Sequence, residues 1–337
     1  MNRSESLDVF RLIAAFAVIT LHVSMGNIPL EATIYIRLLA RFAVPFFFLV
    51  SGYFFYSGMM KYESGFLLKT VFKLISIFII SSLVFLPIDL AKHSFQFTER
   101  LILTGTGPHL WFLPSLTFGL IVLWYIINLI RNYNLLPIIS IVCAIPILLY
   151  YYSFGTWIQD LINIDFARFI LSISFLSVGF YIAYSKIKLT FIYGIIILLS
   201  SFVILYFEVQ YFKTYDPKNV WSIQFLFSTI LLSLAIFILS FNCLNNKYLA
   251  TLGRKYSLGI YLYHPFINMI VYNLIVKVPG SSSGYLLYIN PIICFAVTLS
   301  LLKILDHHFP RVFKILNGDF TMKYILVSGS DTNSYKH

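Results

Sequence analysis

The sequence predicts an all-α integral membrane protein, a bundle of about ten transmembrane helices with both termini cytoplasmic. Three observations carry that prediction. Of the 337 residues, 59% are hydrophobic and 11% charged, and mean hydropathy is +0.86, far from the balance of a soluble domain. Apolar runs long enough to cross roughly 30 Å of hydrocarbon recur along the chain. Basic residues also alternate in density between runs. With the N-terminus inside, the cytoplasmic segments hold the basic residues around 61–73, 131, 186–188, 247–255 and 311–323, whereas the opposite segments hold Lys92, Arg100, Lys213, Lys218 and Lys277. The net charge of +11 is therefore read as a topology signal, and no nucleic-acid partner is expected.

The runs fall near 7–25, 34–57, 66–90, 110–130, 135–152, 167–185, 189–207, 220–242, 256–278 and 287–309. The first, LDVFRLIAAFAVITLHVS, contains Asp8, Arg11 and His22. Arg11 and His22 are eleven residues apart, close to three helical turns, so they share a face about 16 Å apart along the axis. A charge at membrane depth costs roughly 3 kcal/mol or more, so such groups face a bundle interior or a wet cavity. Those internal charges and the many later runs predict an uncleaved helix rather than a signal peptide.

The second run opens on Arg37 and Arg41, one turn apart, before VPFFFLVSGYFF at 44–55. Lys69 and Lys73 open the third, and PHLWFLPSL at 108–116, with His109 and Trp111, opens the fourth. Arg168 opens the sixth, and the ninth contains Tyr261, His264 and a kinking Pro265 at the depth of Arg11. Residues 208–219 and 279–286 read as extracellular loops able to shape an entrance. His307 and His308 close the tenth run at an interface. A membrane domain over 1–309 is followed by a short, loosely ordered cytoplasmic tail over 310–337.

Cys143, Cys243 and Cys294, odd in number and set within apolar runs, indicate neither a disulfide framework nor a metal site. The chain shows no phosphate loop, zinc motif or nucleophile elbow, and no bound cofactor or metal is expected. The oligomeric state is open.

Asp8-x-x-Arg11 with His22 beyond it, VPFFFLVSGYFF, PHLWFLPSL and LGRKYSLGIYLYHPF at 252–266, taken together and in this order, resemble acyltransferase family 3 of integral membrane proteins. The resemblance implies a ten-helix enzyme of the bacterial cytoplasmic membrane. Such an enzyme moves an acyl group, often acetyl, from a cytoplasmic acyl-CoA co-substrate, acetyl-CoA first among them, to an extracytoplasmic glycan hydroxyl. A similar membrane domain is fused to serine racemases of vancomycin resistance, and no racemase or esterase-like segment is expected in this chain.

The chemistry of the residues agrees with that expectation. Acyl transfer to a hydroxyl needs a base to take its proton, and histidine is matched to that near neutral pH. His22 fits, at the extracellular end of the first run. Arg11, with Asp8 at i−3 to hold its guanidinium, orients the donor or else locks helix one to a neighbour. Lys69 and Lys73 stand where the family often shows an Arg-x-x-Arg pair. They meet donor phosphates as point charges without the bidentate fork of arginine, or else they anchor the helix. Tyr261 and His264 are expected along the donor tunnel. Arg41, His109, Trp111 and Arg168 are expected on the acceptor side, against the plain alternatives of headgroup snorkelling and an aromatic belt. The rival class is a carrier or flippase for a polysaccharide intermediate or small amino acid, and an accessory scaffold stands behind it. No inverted repeat of the transporter kind is seen.

Overall fold

The computed structural model describes residues 5–24, 28–62, 65–91, 98, 100–130, 132–187, 190–277 and 285–319. The helices are α1 Glu5–His22, α2 Leu30–Ala40, α3 Ala43–Tyr62, α4 Phe66–Ala91, α5 Arg100–Thr104, α6 Phe112–Leu129, α7 Leu136–Tyr152 and α8 Trp157–Leu161. They continue with α9 Ile164–Ser185, α10 Phe191–Lys213, α11 Phe227–Leu239, α12 Lys247–Val276, α13 Tyr285–Tyr288, α14 Asn290–His308 and α15 Pro310–Leu316. The protein is an all-α integral membrane protein, with no strand among the described residues. Among the described residues eight helical stretches are long and apolar enough to cross a membrane, α2 and α3 counting as one. The other two expected runs are α1, which carries Glu5, Asp8 and Arg11, and α11, whose 13 residues rise only about 20 Å.

Two of the expected runs are broken, and each break has a cause. Pro45 has no amide N–H to offer the Arg41 carbonyl, so the second run splits into α2 and α3 at Arg41 and Phe42. The run 220–242 starts instead as a short 3-10 turn at Val220–Ser222, continues extended through Leu226 and becomes helical at Phe227. Glu208 explains where α11 begins. Its carboxylate accepts from the Ser228 backbone N–H at 3.3 and 3.2 Å and from the Tyr152 hydroxyl, which places an anion on the helix N-terminus. Glu208 itself lies in α10, which runs on to Lys213, so the expected loop begins later than 208. Most of 279–286 lies outside the described residues.

Helices pack most extensively as α1 on α12, α3 on α9 and α10 on α11. The first two pairs approach closely where glycine removes a side chain. A Cβ on Gly253 would overlap the Asp8 carbonyl of α1, and one on Gly179 would overlap the Leu49 carbonyl of α3. Because α1 and α12 lie close and run parallel, residues 8 and 22 of the first face 253 and 264 of the second. The first ten residues of the expected tail are not loose. α15 buries Phe313 against Tyr256 with ring centroids 5.7 Å apart, and Lys73 pairs with Asp319. Cys294 is buried in α14 and Cys143 half-buried in α7, whereas Cys243 is exposed in the turn after α11 rather than within a span.

Candidate active site

Two cavities approach each other inside the bundle. The first, a tunnel of about 250 Å³, is lined by Arg11 of α1, Phe47 and Ser51 of α3, Thr70 of α4, Phe112 of α6 and Tyr261 of α12. The second, a vestibule of about 560 Å³, is lined by His22, Arg41, His109, Trp111, Arg168 and Gln224, and by Tyr261 again. Tyr261 thus stands in both walls. Phe47 and Phe112 pack edge-to-face against it with centroids 6.3 and 5.3 Å away, so the partition between the cavities is aromatic. The tunnel is almost wholly apolar apart from Arg11, Ser51, Thr70, Ser257 and the Tyr261 phenol. Such a passage suits a slender, uncharged chain with a charged group held at one end.

His22 ends α1 with its imidazole open to the vestibule. The sequence places His264 at the depth of Arg11; the structure instead sets it against His22, ring centroids 5.5 Å apart, with His109 5.9 Å from His264 on another side. The cause lies in the next residue. Pro265 supplies no N–H to the Tyr261 carbonyl four residues back, and the His264 ring takes its place, Nδ1 lying 2.8 Å from that oxygen and 3.1 Å from the Ile260 carbonyl. Two carbonyl acceptors fix the proton on Nδ1. Nε2 is left as a lone-pair acceptor, buried and with no protein partner. His109 is fixed in the opposite sense, its Nε2 2.9 Å from the Leu262 carbonyl, while the Tyr261 hydroxyl donates to the His109 carbonyl. This hydrogen-bonded knot joins the loop before α6 to the kink of α12.

The vestibule is basic, and its cations are held by neutral acceptors or a local acid. Arg41 donates from Nη2 to the Trp221 and Ser222 carbonyls at 3.1 and 3.2 Å, and its buried Nε has no protein partner. Arg168 donates to Gln224 Oε1 at 3.0 and 2.7 Å and to Asp165 at 2.6 Å, with its guanidinium 5.2 Å from the Trp111 ring. Arg37, one turn from Arg41, lies 4.5 Å over the Trp221 ring instead. Asp89, Thr104, Thr106 and Gln224 complete the polar lining, and none of them lies in the motifs quoted from the sequence.

At the tunnel end of α1, Asp8 is fully buried and accepts from two arginines, Arg11 at 3.1 Å and Arg254 of α12 at 3.1 Å. In the sequence Arg254 is a loop charge and a member of the 252–266 motif, with no partner assigned to it. Lys73 is turned to Asp319 and Lys69 is exposed; neither lines the tunnel, although Thr70 and Leu74 beside them do. Among the described residues no three His, Cys, Asp or Glu side chains converge on a metal position.

The all-α membrane bundle thus holds an apolar tunnel and a basic vestibule on either side of Tyr261, with His22 on the vestibule side. The chain belongs to acyltransferase family 3: the family's sequence profile, an acyltransferase domain, matches residues 4–305. Residues 4–305 form an acyltransferase domain of that family, built as a multi-pass membrane bundle. Among curated proteins it is similar to an amino-acid racemase of Enterococcus faecalis, 30% identical over 165 residues, which is 43% of this chain and 22% of that protein. It is also similar to a serine/alanine racemase of Enterococcus gallinarum, 31% identical over 139 residues, 36% of this chain and 19% of that protein. The matched segments span about a fifth of those relatives. No solved structure matches.

Proposed function

We propose that the protein transfers an acyl group, acetyl before longer chains, from acyl-CoA to a hydroxyl of a cell-envelope glycan in the bacterial cytoplasmic membrane. The observation that carries the proposal is the position of His22, whose ring opens onto the polar vestibule while the apolar tunnel containing Arg11 ends at the same tyrosine partition. The donor's pantetheine arm lies in the tunnel with its thioester at Tyr261. Arg11, oriented by Asp8, serves its charged end. The glycan enters the vestibule against Arg41, His109, Trp111 and Arg168.

His22 takes the proton of the acceptor hydroxyl as its oxygen bonds to the thioester carbonyl carbon. The tetrahedral adduct then collapses, the C–S bond breaks, and the imidazolium returns a proton to the leaving sulfur. His264 is a positioning residue here. Its Nε2, unpaired in the free protein with the His22 ring 5.5 Å away, takes one ring N–H of His22 once the acceptor is bound, and so turns the other nitrogen toward the hydroxyl.

The test is transfer of labelled acetyl from acetyl-CoA to envelope glycan by purified wild-type and His22→Gln protein. Glutamine keeps polarity and much of the volume, and loss of the base lowers the rate roughly 100- to 10,000-fold. A wild-type rate in well-folded His22→Gln protein removes His22 from the role. If wild-type protein transfers nothing while a glycan intermediate or serine crosses the membrane, the carrier reading replaces this one.

A further inference from the structure

A third cavity opens beside the vestibule. It measures about 260 Å³ and is lined by Tyr150 and Tyr151 at the end of α7, Phe154 and Gln159 around α8, and Tyr215 and Asp216 beyond α10. Gln224 belongs to both walls, so the extended segment after Ser222 is the sill between vestibule and groove. Arg168 holds Gln224 Oε1, which leaves the amide N–H groups of that side chain to a ligand. Asp216 gives Oδ2 to Asn219 at 2.9 Å and keeps Oδ1 for another donor. Gln159 Oε1 accepts from the Gly155 N–H at 3.0 Å, and its amide is likewise left to donate. Tyr215 and Phe154 present broad ring surface, 53% and 45% exposed.

We infer that this groove is a second subsite that binds the neighbouring sugar of a polymeric glycan whose reacting sugar stands at His22. The inference rests on the glycan reading of the vestibule and adds that the acceptor is a chain, not a single sugar. The chemistry fits a pyranose on each count. Aromatic rings cover its C–H faces, and a carboxylate oxygen and two amides match hydroxyls that both donate and accept. A purely apolar occupant, such as a lipid tail, would leave Asp216 Oδ1 and both side-chain amide N–H groups desolvated and unpaired. Arg41 ties the two compartments together mechanically, because the carbonyls it holds belong to Trp221 and Ser222, immediately before the sill.

The experiment uses full-length protein, labelled acetyl-CoA, and one glycan preparation in two forms, intact chains and single repeats, the same chains hydrolysed to one sugar each. Wild-type protein is expected to show a KM for intact chains about tenfold below that for single repeats. Tyr215→Ala and Asp216→Asn are each expected to raise the KM for chains about tenfold toward the single-repeat value while leaving kcat and the single-repeat KM unchanged. Tyr215→Phe, which keeps the ring, is expected to behave as wild type. Equal wild-type KM values for the two forms, or variants that act alike on both, overturn the subsite. Absence of transfer to either form refutes the glycan acceptor itself, a different failure with a different signature.

Discussion

Replacing Pro265 by alanine returns an amide N–H to α12 and with it a competitor for the Tyr261 carbonyl that now accepts from His264 Nδ1. In a helix interior alanine is favoured over proline by about 3 kcal/mol, so the variant is expected to melt no lower than wild type. Its kcat is nevertheless expected to fall about tenfold with both KM values held, because the His264 tautomer is no longer fixed. Kinetics and a thermal melt on one preparation check the pair, and an unchanged kcat refutes the positioning role. His22 was legible in the sequence because a lone imidazole in an apolar run stands out. The position of His264 was not. The i and i+3 spacing of Tyr261 and His264 suggests one shared environment, whereas the tyrosine lines both cavities and the histidine packs against His22 of α1. Gln224 was hidden for another reason: it sits in SIQFLF, which reads as membrane span.

At the scale of elements, α1 and α12 are held by a small-residue contact and by one carboxylate between two guanidinium groups. Asp8 is fully buried, Arg11 19% exposed and Arg254 48% exposed, so the three members are not equivalent. Asp8→Ala removes the fully buried carboxylate that the two guanidinium groups share and is expected to cost about 3–5 kcal/mol. Arg254→Met removes the more solvated partner and is expected to cost under about 1 kcal/mol. Unfolding in detergent micelles, followed by tryptophan fluorescence, ranks the two, and equal melts argue against the buried carboxylate as the clasp. Gly253→Ala is expected to resemble Asp8→Ala, since the added methyl meets the Asp8 carbonyl. The runs that became these helices were legible from apolarity, because lipid demands closed backbone hydrogen bonding over the full span. The breaks were not. The start of α11 depends on a group distant in sequence, Glu208 accepting from Ser228, and the break at Arg41 on the missing N–H of Pro45, and a window of hydropathy registers neither.

For the whole molecule, the charge bias of the loops predicts that reporters fused at Lys61, Lys186 and the C-terminus stay cytoplasmic, and that those near Lys92 and Lys213 are exported. One inverted pair refutes that orientation. The orientation puts the tunnel on the cytoplasmic side and the vestibule on the other, with Phe47, Phe112 and Tyr261 as the wall between. A wall of that kind bears on the membrane potential. Moving one elementary charge across the bilayer is worth about 2.3 kcal/mol per 100 mV, and a carrier of an anionic intermediate would feel all of it. In the acyl transfer proposed for this site, an acyl cation equivalent passes outward and the hydroxyl proton passes inward to the sulfur, so no net charge crosses. The reaction is electroneutral, and its turnover in sealed vesicles is expected to stay constant as a potassium diffusion potential is stepped from zero to strongly negative inside.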